Sequence, residues 1–393
     1  MSNIRIIPNS NASRTITEAR AARAHLEVDL GAIRHNADVI RELSGGAKIM
    51  AVLKRDAYGL GAVTIAQTLR ACGVKAFAVD NAAEGIVLRT HGISEPILII
   101  DGDIPDNASI AIDYNLIPGI AQDQLLKAYQ DAALERRREV RIWLVYNVGF
   151  NRSGYKDLGE FAQFVTSVKN CSHLIADGIY AHLTNSNGDS KISWEQIKKF
   201  KDAVECAESI LGRRIQTSLF ASHGLVRWAK KFPTDWVRPG ILLYGEDAFQ
   251  DELIEEEALV AIGSLRPAIR LRTRIIHLLR FDKEEGVGYG QHHQARPGQC
   301  LATLSIGFGS GYPFISKDLN AIVHGKVVPV FGDIGMDAMQ IDVTDVPDVQ
   351  LYDWVTLIGK ESGVRISVKE LARRARTTPY QLLAGLKCER IYL

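Results

Sequence analysis

A lysine at the end of a short apolar segment is the residue of this chain best placed to do covalent chemistry. Residues 49–53 form a nearly continuous apolar run, which is typical of a strand buried on both faces, and Lys54 follows at once. An amine that stands where a buried strand opens into a loop can attack a carbonyl group. Tyr58 and two glycines come next, before a helical pattern from about residue 62. Such glycines let the backbone approach a ligand, and the N-terminus of a helix favours anions.

A nucleophilic lysine beside a phosphate-binding loop suggests pyridoxal phosphate held as a Schiff base. Taken alone the pattern is weak, because most lysines at strand ends are merely solvated. The role of Lys54 therefore depends on which other side chains the fold brings to it.

The elements that must position Lys54 alternate between strands and helices from residue 25 to about residue 245. Counted from residue 48, eight segments are predicted as strands, most of them followed by a helical pattern. An open parallel sheet rarely runs so long without interruption, so the pattern favours an α/β fold with a closed (β/α)8 barrel. The predicted strands are residues 48–54, 76–79, 97–100, 116–120, 141–146, 178–182, 216–221 and the segment that begins at Trp236.

After about residue 257 the pattern changes to that of a smaller, mostly β domain. Residues 268–279 alternate apolar with basic or polar side chains, as a half-exposed strand does. We therefore expect an N-terminal extension (1–24), a barrel (25–256) and a C-terminal β domain (257–393). The other predicted strands of the β domain are residues 301–306, 321–331, 339–343 and 353–358.

Composition and charge argue against several classes of protein. At 393 residues two domains are the default, and 46% hydrophobic with 24% charged residues is ordinary for a soluble globular protein. A net charge of +1 gives no global field that would recruit nucleic acid or an anionic membrane, and no apolar run is long enough to span a bilayer. The five cysteines are dispersed without metal-ligand spacing, which indicates reduced thiols in a cytoplasmic protein and no metal site.

One predicted rim of the barrel would carry several reactive or charged residues, because active sites of barrels lie at the C-terminal ends of the strands. Each residue has a simpler explanation. His182 alone is more often a satisfied core histidine, the arginines could pair with surface acids, and Ser222 is a good helix N-cap in any protein. Their coincidence on one rim favours a catalytic site. The rim residues are Lys54, Arg152, His182, Ser222, Arg238, Gly240 and Ile241.

At these positions the sequence resembles the alanine racemase family, whose members combine a (β/α)8 barrel, a C-terminal β domain and pyridoxal phosphate. The resemblance runs from about His25 to the C-terminus. Its most specific part is the signature Ala-Val-x-Lys-x-x-Ala-Tyr-Gly-x-Gly, which here reads Ala51-Val-Leu-Lys54-Arg-Asp-Ala-Tyr58-Gly-Leu-Gly61. Further matching stretches lie at residues 148–154, 180–182, 237–241, 287–290, 335–337 and 379–380.

The resemblance implies a role for each residue of the site. Lys54 would hold the cofactor, and Arg238 would lie at its pyridine nitrogen. Arg152 and the backbone amide of Met336 would receive the substrate carboxylate. Tyr289 would enter the site of the partner subunit, so that the active unit is a homodimer with shared active sites. The residues implied to bind the cofactor phosphate are Tyr58, Ser222, Gly240, Ile241 and Tyr380.

These roles fit a racemase that interconverts L- and D-alanine with two bases on opposite faces of the substrate, Lys54 on one face and the partner subunit's Tyr289 on the other. A free tyrosine, with a pKa of about 10, is a poor base near neutral pH and needs a neighbour that stabilises the phenolate. His182 is the candidate, itself polarised by Arg238. An arginine at the pyridine nitrogen does not readily give up its proton, which weakens the electron sink and limits side reactions.

One departure from the family pattern concerns the support of Arg152. The family usually has a lysine, commonly carbamylated, on the strand before this arginine, and this chain has Val145 at the corresponding place. We therefore expect a chloride ion, Asn147 or another side chain to support the guanidinium of Arg152.

Other departures concern the entrance to the site. An acid stands at Asp333 where typical members have arginine, and Thr378 replaces a residue that is often a larger aliphatic one. We expect these two changes to widen the range of substrates, with alanine first and serine or a broader set of amino acids close behind. The remaining changes are Phe308 in place of tyrosine and Asn187 near a usual aspartate.

Two alternatives outside the racemases stay open from the sequence alone. A pyridoxal-phosphate decarboxylase of the same barrel type usually has an acid at the pyridine nitrogen, so Arg238 argues against it. A cofactor-binding protein without catalysis, such as a scaffold, is suggested by the missing lysine. The presence of Tyr289, His182 and both arginines argues against that loss of activity.

Overall fold

The computed structural model describes residues 24–100, 102–184, 186, 190–247, 256–315 and 318–393. The described chain divides into two units, one formed by residues 30–268 and the other by residues 24–29 together with 269–393. The first strand, β1 (Ala24–Val28), belongs to the second unit. Apart from Ala24, the expected N-terminal extension (1–24) lies outside the described residues, and so does Asn187.

The first unit is a closed parallel barrel, as the alternation of strands and helices predicts. In the described chain eight strands follow one another around it, and the last pairs with the first through Lys48 with Trp236 and Ile49 with Val237. Apolar side chains such as Met50, Leu98 and Trp143 are buried together as one core cluster. The predicted fold class is therefore confirmed. The strands are β2 (Lys48–Val52), β3 (Ala76–Val79), β4 (Ile97–Ile99), β5 (Ile117–Ile120), β6 (Val140–Val145), β7 (Leu174–Tyr180), β8 (Gln216–Ala221) and β9 (Trp236–Arg238).

Two of the described helices between these strands, α3 (Ala82–Thr90) and α6 (Leu158–Lys169), begin at a side-chain cap. The Asn81 side chain accepts a hydrogen bond from the Glu84 N–H at 3.1 Å, and Asp157 accepts from the N–H groups of Gly159 and Glu160. No helix in the described ranges is both long and apolar enough to cross a membrane. The helices of this unit are α1 (Leu30–Leu43), α2 (Ala62–Ala71), α3 (Ala82–Thr90), α4 (Ala108–Asp113), α5 (Asp123–Arg136), α6 (Leu158–Lys169), α7 (Ser190–Leu211), α8 (Ser222–Trp228) and α9 (Glu256–Gly263).

The second unit is built on a mostly antiparallel sheet. Its described strands are ordered β18-β17-β14-β15-β16-β13-β10-β1-β19, with a further pairing between β17 and β10. Alternate side chains of β10 are buried over its first half, which is the pattern predicted for a half-exposed strand. The elements are β10 (Ile269–Arg280), β11 (Glu285–Val287), β12 (His293–Ala295), β13 (Cys300–Leu304), β14 (Asn320–Val323), β15 (Lys326–Phe331), β16 (Met339–Asp342), β17 (Trp354–Glu361), β18 (Val364–Ile366), α10 (Val368–Arg374), α11 (Pro379–Gly385) and β19 (Glu389–Tyr392).

The boundary between the units differs from the expected barrel range of 25–256. β1 pairs antiparallel with β10 and parallel with β19, so residues 25–28 join the second unit. Residues 257–268 instead belong with the barrel, where the Asn36 side chain accepts a hydrogen bond from the Arg266 N–H at 2.7 Å and donates to the Leu243 carbonyl at 3.1 Å. Apolar periodicity identifies a strand but not the sheet that it joins, which explains the difference.

Candidate active site

Lys54 stands at the start of a left-handed helical turn. β2 ends at Val52, and hydrogen bonds from the Val52 N–H to the Pro239 carbonyl (2.9 Å) and from the Leu53 N–H to the Ala78 carbonyl (2.8 Å) hold the strand end in the barrel. From Arg55 to Tyr58 four consecutive non-glycine residues have φ between 54° and 59°. L-residues resist this conformation by roughly 1–2 kcal/mol each. Other contacts must therefore stabilise the turn.

Two carboxylates hold the left-handed turn from its two ends. The Arg55 N–H donates to Glu84 Oε1 at 2.7 Å, and the Ala62 N–H at the start of α2 donates to Asp56 Oδ1 at 2.7 Å. Burial raises the pKa of Glu84 above its ordinary value, although backbone hydrogen bonds oppose that shift. Because Ala57 is also fully buried, the turn fixes the backbone that links Lys54 to Tyr58.

Two hydroxyl groups converge on Gly240, which follows β9. The Gly240 N–H donates to Ser222 Oγ at 3.0 Å, and a Cβ atom added at Gly240 would lie 2.1 Å from Tyr58 Oη. Only glycine therefore leaves room for the Tyr58 hydroxyl at this place. The Tyr244 ring packs edge-on against the Tyr58 ring with centroids 5.5 Å apart, and burial raises the pKa of Tyr244, so that its phenol stays neutral. Ile241, fully buried, begins the short 3-10 helix that leads to Tyr244.

Arg238 at the end of β9 is locked in place by the barrel itself. Its Nη1 donates to the Ser218 carbonyl at 2.8 Å and to Ser218 Oγ at 2.6 Å, and its Nη2 donates to the Ala181 carbonyl at 2.6 Å. The Tyr180 ring faces the guanidinium, with Arg238 Cζ 5.1 Å from the ring centroid. Since the Tyr180 hydroxyl also donates to the Ile100 carbonyl, the ring and the guanidinium are held together. A buried arginine with three acceptors keeps its charge and its position.

Arg152 and His182 meet through an aromatic ring. The guanidinium of Arg152 lies over the Phe150 ring at 4.5 Å, and the same ring packs edge-on against His182 with centroids 5.1 Å apart. Together these three residues line one pocket at the rim of the barrel, with Asn147 and Tyr180. The arrangement orients one cation beside an imidazole, which suits the binding of a small carboxylate.

These contacts provide part of the support that we expected for the guanidinium of Arg152 in the absence of the usual lysine. Val145 is buried in the apolar cluster of the barrel. The Asn147 side-chain oxygen accepts hydrogen bonds from the N–H groups of Gly149 and Asn151, both at 3.0 Å, and so orders the loop that carries the arginine. Among the supports that we expected, the structure shows another side chain, the Phe150 ring, against the guanidinium.

The remaining predicted site residues lie in the second unit. Tyr289 opens a 3-10 turn between Gly288 and Gly290, both at positive φ, and the residue is 76% exposed. Met336 is 58% exposed, its carbonyl accepts from the Gly309 N–H at 2.9 Å, and no described residue accepts a hydrogen bond from its own N–H. Tyr380 is half-buried in the first turn of α11.

Four residues with supporting roles were missed by the sequence reasoning. Asp56 and Tyr180 stand inside stretches that match the family, so a signal was present for both. Glu84 and Ser218 hold the turn and Arg238 from other strands and helices, and nothing in their local sequence indicates those contacts.

Two family models match most of the chain. The model of the alanine racemase N-terminal domain matches residues 28–248, and the model of the C-terminal domain matches residues 268–392. The chain belongs to the alanine racemase family. The predicted family is thereby confirmed, and with it the prediction that the chain is an enzyme of the isomerase class.

Individual alanine racemases are similar over nearly their whole length. One from Halothermothrix orenii is 30% identical over 365 residues, which cover 92% of this chain and 93% of that one. One from Xylella fastidiosa is 33% identical over 372 residues, which cover 94% of this chain and 97% of that one. The solved alanine racemase from Acinetobacter baumannii has a TM-score of 0.80 at 28% identity and covers 94% and 99% of the two chains. These matches favour neither a decarboxylase nor a scaffold.

The residues of the barrel fit the pyridoxal phosphate of this family. The hydroxyls of Tyr58 and Ser222 meet at Gly240, whose missing side chain gives the Tyr58 hydroxyl its space, and hydroxyl donors suit a phosphate. Lys54 follows the neighbouring strand β2, whose last residue, Val52, is hydrogen-bonded to Pro239. A solved alanine racemase from Bacillus anthracis with bound L-Ala-P has a TM-score of 0.84 at 25% identity and covers 95% of each chain.

Proposed function

We propose that this chain is a pyridoxal-phosphate-dependent alanine racemase that acts as a cytoplasmic homodimer with shared active sites. The observation that carries the proposal is the convergence of the Tyr58 and Ser222 hydroxyls on Gly240. Gly240 follows β9, which pairs with β2, and Lys54 follows β2. The match to both domains of the family over most of the chain supports it.

In this proposal Lys54 binds the cofactor, and the hydroxyls of Tyr58 and Ser222, the backbone of Gly240 and Ile241, and Tyr380 bind its phosphate. Pyridoxal phosphate, when bound, supplies an electron sink that makes the α-proton of an amino acid removable. Arg238 would face the pyridine nitrogen of the bound cofactor, with a guanidinium that does not give up its proton. Its hydrogen bonds to Ser218 and Ala181 keep it from turning away, which supports a role that depends on position.

Two bases on opposite faces of the substrate move the α-proton. The Lys54 amine serves one face, and the phenol oxygen of the partner subunit's Tyr289 serves the other. His182, held edge-on by Phe150, would orient that phenol and stabilise its deprotonated form. Racemisation follows because a proton leaves from one face and returns to the other.

Exposure in the second unit supports the shared site. Tyr289 is 76% exposed and Met336 58% exposed, and Phe308 and Phe314 are exposed neighbours whose rings lie 5.3 Å apart. Large apolar side chains that are exposed to solvent commonly mark a surface that another chain covers. A second copy of this chain, placing Tyr289 near the partner's Lys54, would bury them.

Arg152 orients the substrate by its carboxylate. The guanidinium offers a fork of N–H donors, and its contact with the Phe150 ring limits its freedom, so less entropy is lost on binding. The backbone N–H of Met336 would donate to the same carboxylate. Such a two-point grip holds the Cα–H bond in one direction, which is a requirement for proton removal by a fixed base.

Alanine is the first choice of substrate, and serine or a broader range of amino acids is the alternative. Asp333 lies 3.3 Å from His293, and the Thr378 hydroxyl caps α11 by accepting from the Gln381 N–H at 3.1 Å. Both side chains thus have local partners. A racemisation panel of L-amino acids decides the range, and activity with alanine alone would exclude a role of Asp333 and Thr378 in widening it.

The decisive experiment mixes two inactive variants, Lys54→Ala and Tyr289→Phe. In a dimer with shared sites, a mixed dimer has one site with both bases, so statistical mixing restores about a quarter of the sites. Racemisation of L-alanine and solvent deuterium exchange at Cα measure the recovery. Absence of recovery would show that Tyr289 does not act on the partner. A visible cofactor band that persists in Lys54→Ala would overturn the role of Lys54.

A further inference from the structure

A second cavity lies at the opposite end of the barrel from Lys54. It has a volume of about 220 Å³ and is lined by residues at or near the starts of strands, among them Ala76 of β3 and Gln216 of β8. Trp143 lines this cavity, Tyr180 lines the pocket of Arg152 and His182, and their rings lie 6.5 Å apart. The two aromatic rings therefore separate the cavity from the rim that carries the proposed reaction.

The walls of this cavity are largely apolar. Engineered apolar cavities of about 150 Å³ bind benzene, so a cavity of this size has room for an aliphatic side chain. Burial of such a group is favourable in proportion to its apolar surface. The apolar residues that line the cavity are Met50, Ala76, Pro96, Leu98, Ile117, Trp143 and Trp236.

One cation and one anion line the same cavity. Arg141 Nη1 lies 4.0 Å from Asp177 Oδ2, which is the outer limit of an ion pair, and the two side chains are 47% and 24% exposed. Asp177 is held from behind, because Gln216 Nε2 donates to Asp177 Oδ2 at 3.0 Å and Trp236 Nε1 donates to Gln216 Oε1 at 2.5 Å. No described residue donates a hydrogen bond to Asp177 Oδ1.

This cavity combines a loosely paired cation and anion with apolar walls. A zwitterionic amino acid with an apolar side chain is complementary to both features. We propose that this cavity binds a free α-amino acid with an apolar side chain, with its carboxylate at Arg141, its ammonium at Asp177 and its side chain between the tryptophans. A ligand with a single charge would bind one of the two ions and leave the other with only its contacts within the protein. A zwitterion satisfies both, since charge-assisted hydrogen bonds form at each end.

The test uses the holoenzyme and isothermal titration calorimetry with L-leucine. Two analogues of the same shape lack one charge each: 4-methylpentanoic acid has no ammonium, and 3-methylbutylamine has no carboxylate. We expect both to bind at least about 10-fold more weakly than leucine, the cost of one lost charged hydrogen bond. Equal affinity for leucine and either analogue, or no binding of leucine, would overturn the proposal.

Two variants then assign the charges of the ligand to individual residues. Asp177→Asn should weaken leucine and the amine but leave the acid unchanged, whereas Arg141→Gln should weaken leucine and the acid but leave the amine unchanged. Asp131→Asn removes a carboxylate from an exposed pair with Lys127 and serves as the matched control. Circular dichroism checks that each variant folds.

A third variant separates this site from the substrate site. Arg152→Gln should leave the affinity of the cavity for leucine unchanged, because Arg152 lines the other pocket. Loss of leucine binding in Arg152→Gln, with no loss in Asp177→Asn, would place the ligand at the substrate site and overturn the proposal. The outcome is independent of the proposed racemase activity, which the mixing experiment tests separately.

Discussion

The two units present their predicted site residues in opposite ways. In the barrel, Arg238 is 3% exposed and Ser222 4% exposed, and each is fixed by hydrogen bonds within the unit. In the second unit, Tyr289 and Met336 are mostly exposed. The barrel residues are thus positioned by folding, whereas those of the second unit would gain their surroundings from the partner chain of the proposed homodimer. Changes in the barrel should therefore affect stability and function together, while changes at Tyr289 should affect function alone.

The largest effect is expected for Tyr289→Phe. Loss of one of two bases should lower kcat by about 100- to 10,000-fold, the usual range for general acid–base groups. The melting temperature should stay unchanged, since the exposed hydroxyl contributes nothing to the packing of the unit. Tyr352, 64% exposed in the same unit, provides the control, and Tyr352→Phe should alter neither quantity. A large drop in melting temperature with Tyr289→Phe would show that Tyr289 contributes to stability, and would contradict the proposed difference between the two units.

Gly240→Ala should affect stability and cofactor binding together. The added Cβ would lie 2.1 Å from Tyr58 Oη, so the buried Tyr58 ring must shift, at a cost of about 1–3 kcal/mol. Denaturant unfolding and titration with pyridoxal phosphate measure the two effects. At Gly263 nothing lies within 4 Å of an added Cβ, so Gly263→Ala is the matched control. Cofactor affinity equal to that of wild type in Gly240→Ala would show that this glycine does not shape the phosphate site.

Glu27→Gln tests a buried group of the second unit that has no part in the proposed site. Burial alone would raise the pKa of Glu27, but hydrogen bonds from His25 and Arg270 and the charges of Arg270 and Arg272 lower it from 4.5 to about 2. A carboxyl with a lowered pKa stabilises the fold above pH 4.5, and this contribution is lost as pH falls toward 2. We expect a loss of about 1–2 kcal/mol at pH 7.

The pH dependence provides the check on Glu27→Gln. Unfolding free energies of the variant and of wild type should differ most near neutral pH and converge as pH approaches 2. Racemase activity at pH 7 should be retained at temperatures where both proteins are folded. A difference that stays constant down to pH 2 would mean that the ionised carboxylate is not what stabilises this part of the sheet.

Tyr180→Phe is expected to have the smallest effect. It removes the hydrogen bond to the Ile100 carbonyl and keeps the ring that faces Arg238, so the cost should be about 1 kcal/mol with activity little changed. Tyr180→Leu removes the ring as well and should lower cofactor affinity. Thermal unfolding and cofactor titration distinguish the two variants, and equal cofactor affinity in both would show that the ring does not position Arg238.

The barrel was predictable because its signals are local and redundant. Each strand has its own apolar run, and the strand ends in a parallel barrel must share one rim, which places Ser222 and Arg238 on the same side as Lys54. The hydrogen bonds of Ser222 to Gly240 and of Arg238 to the neighbouring strands agree with that expectation. Roles that depend on a ligand or a second chain stay predictions.

Features that depend on backbone conformation or distant pairing could not be predicted. Residues 321–331 were expected as one strand, and this prediction is wrong. The segment is a hairpin of β14 and β15 that turns at His324 and Gly325, both at positive φ. Because His-Gly is not among the usual turn pairs, the turn gives no sequence signal. The left-handed turn after Lys54 could not be predicted either, because the hydrogen bond that stabilises it comes from Glu84, which lies on another helix.

That turn has a consequence for chain chirality. The steric clash that opposes this conformation arises from the Cβ atom of an L-residue, and the mirror-image residue does not have it. In a chemically synthesised chain, D-alanine at position 57, where φ is 55°, should therefore be tolerated and should relieve roughly 1–2 kcal/mol of this cost. The same replacement at Ala51 in β2 should disrupt the barrel. The segment that follows Lys54 thus has the backbone handedness that D-amino acids prefer.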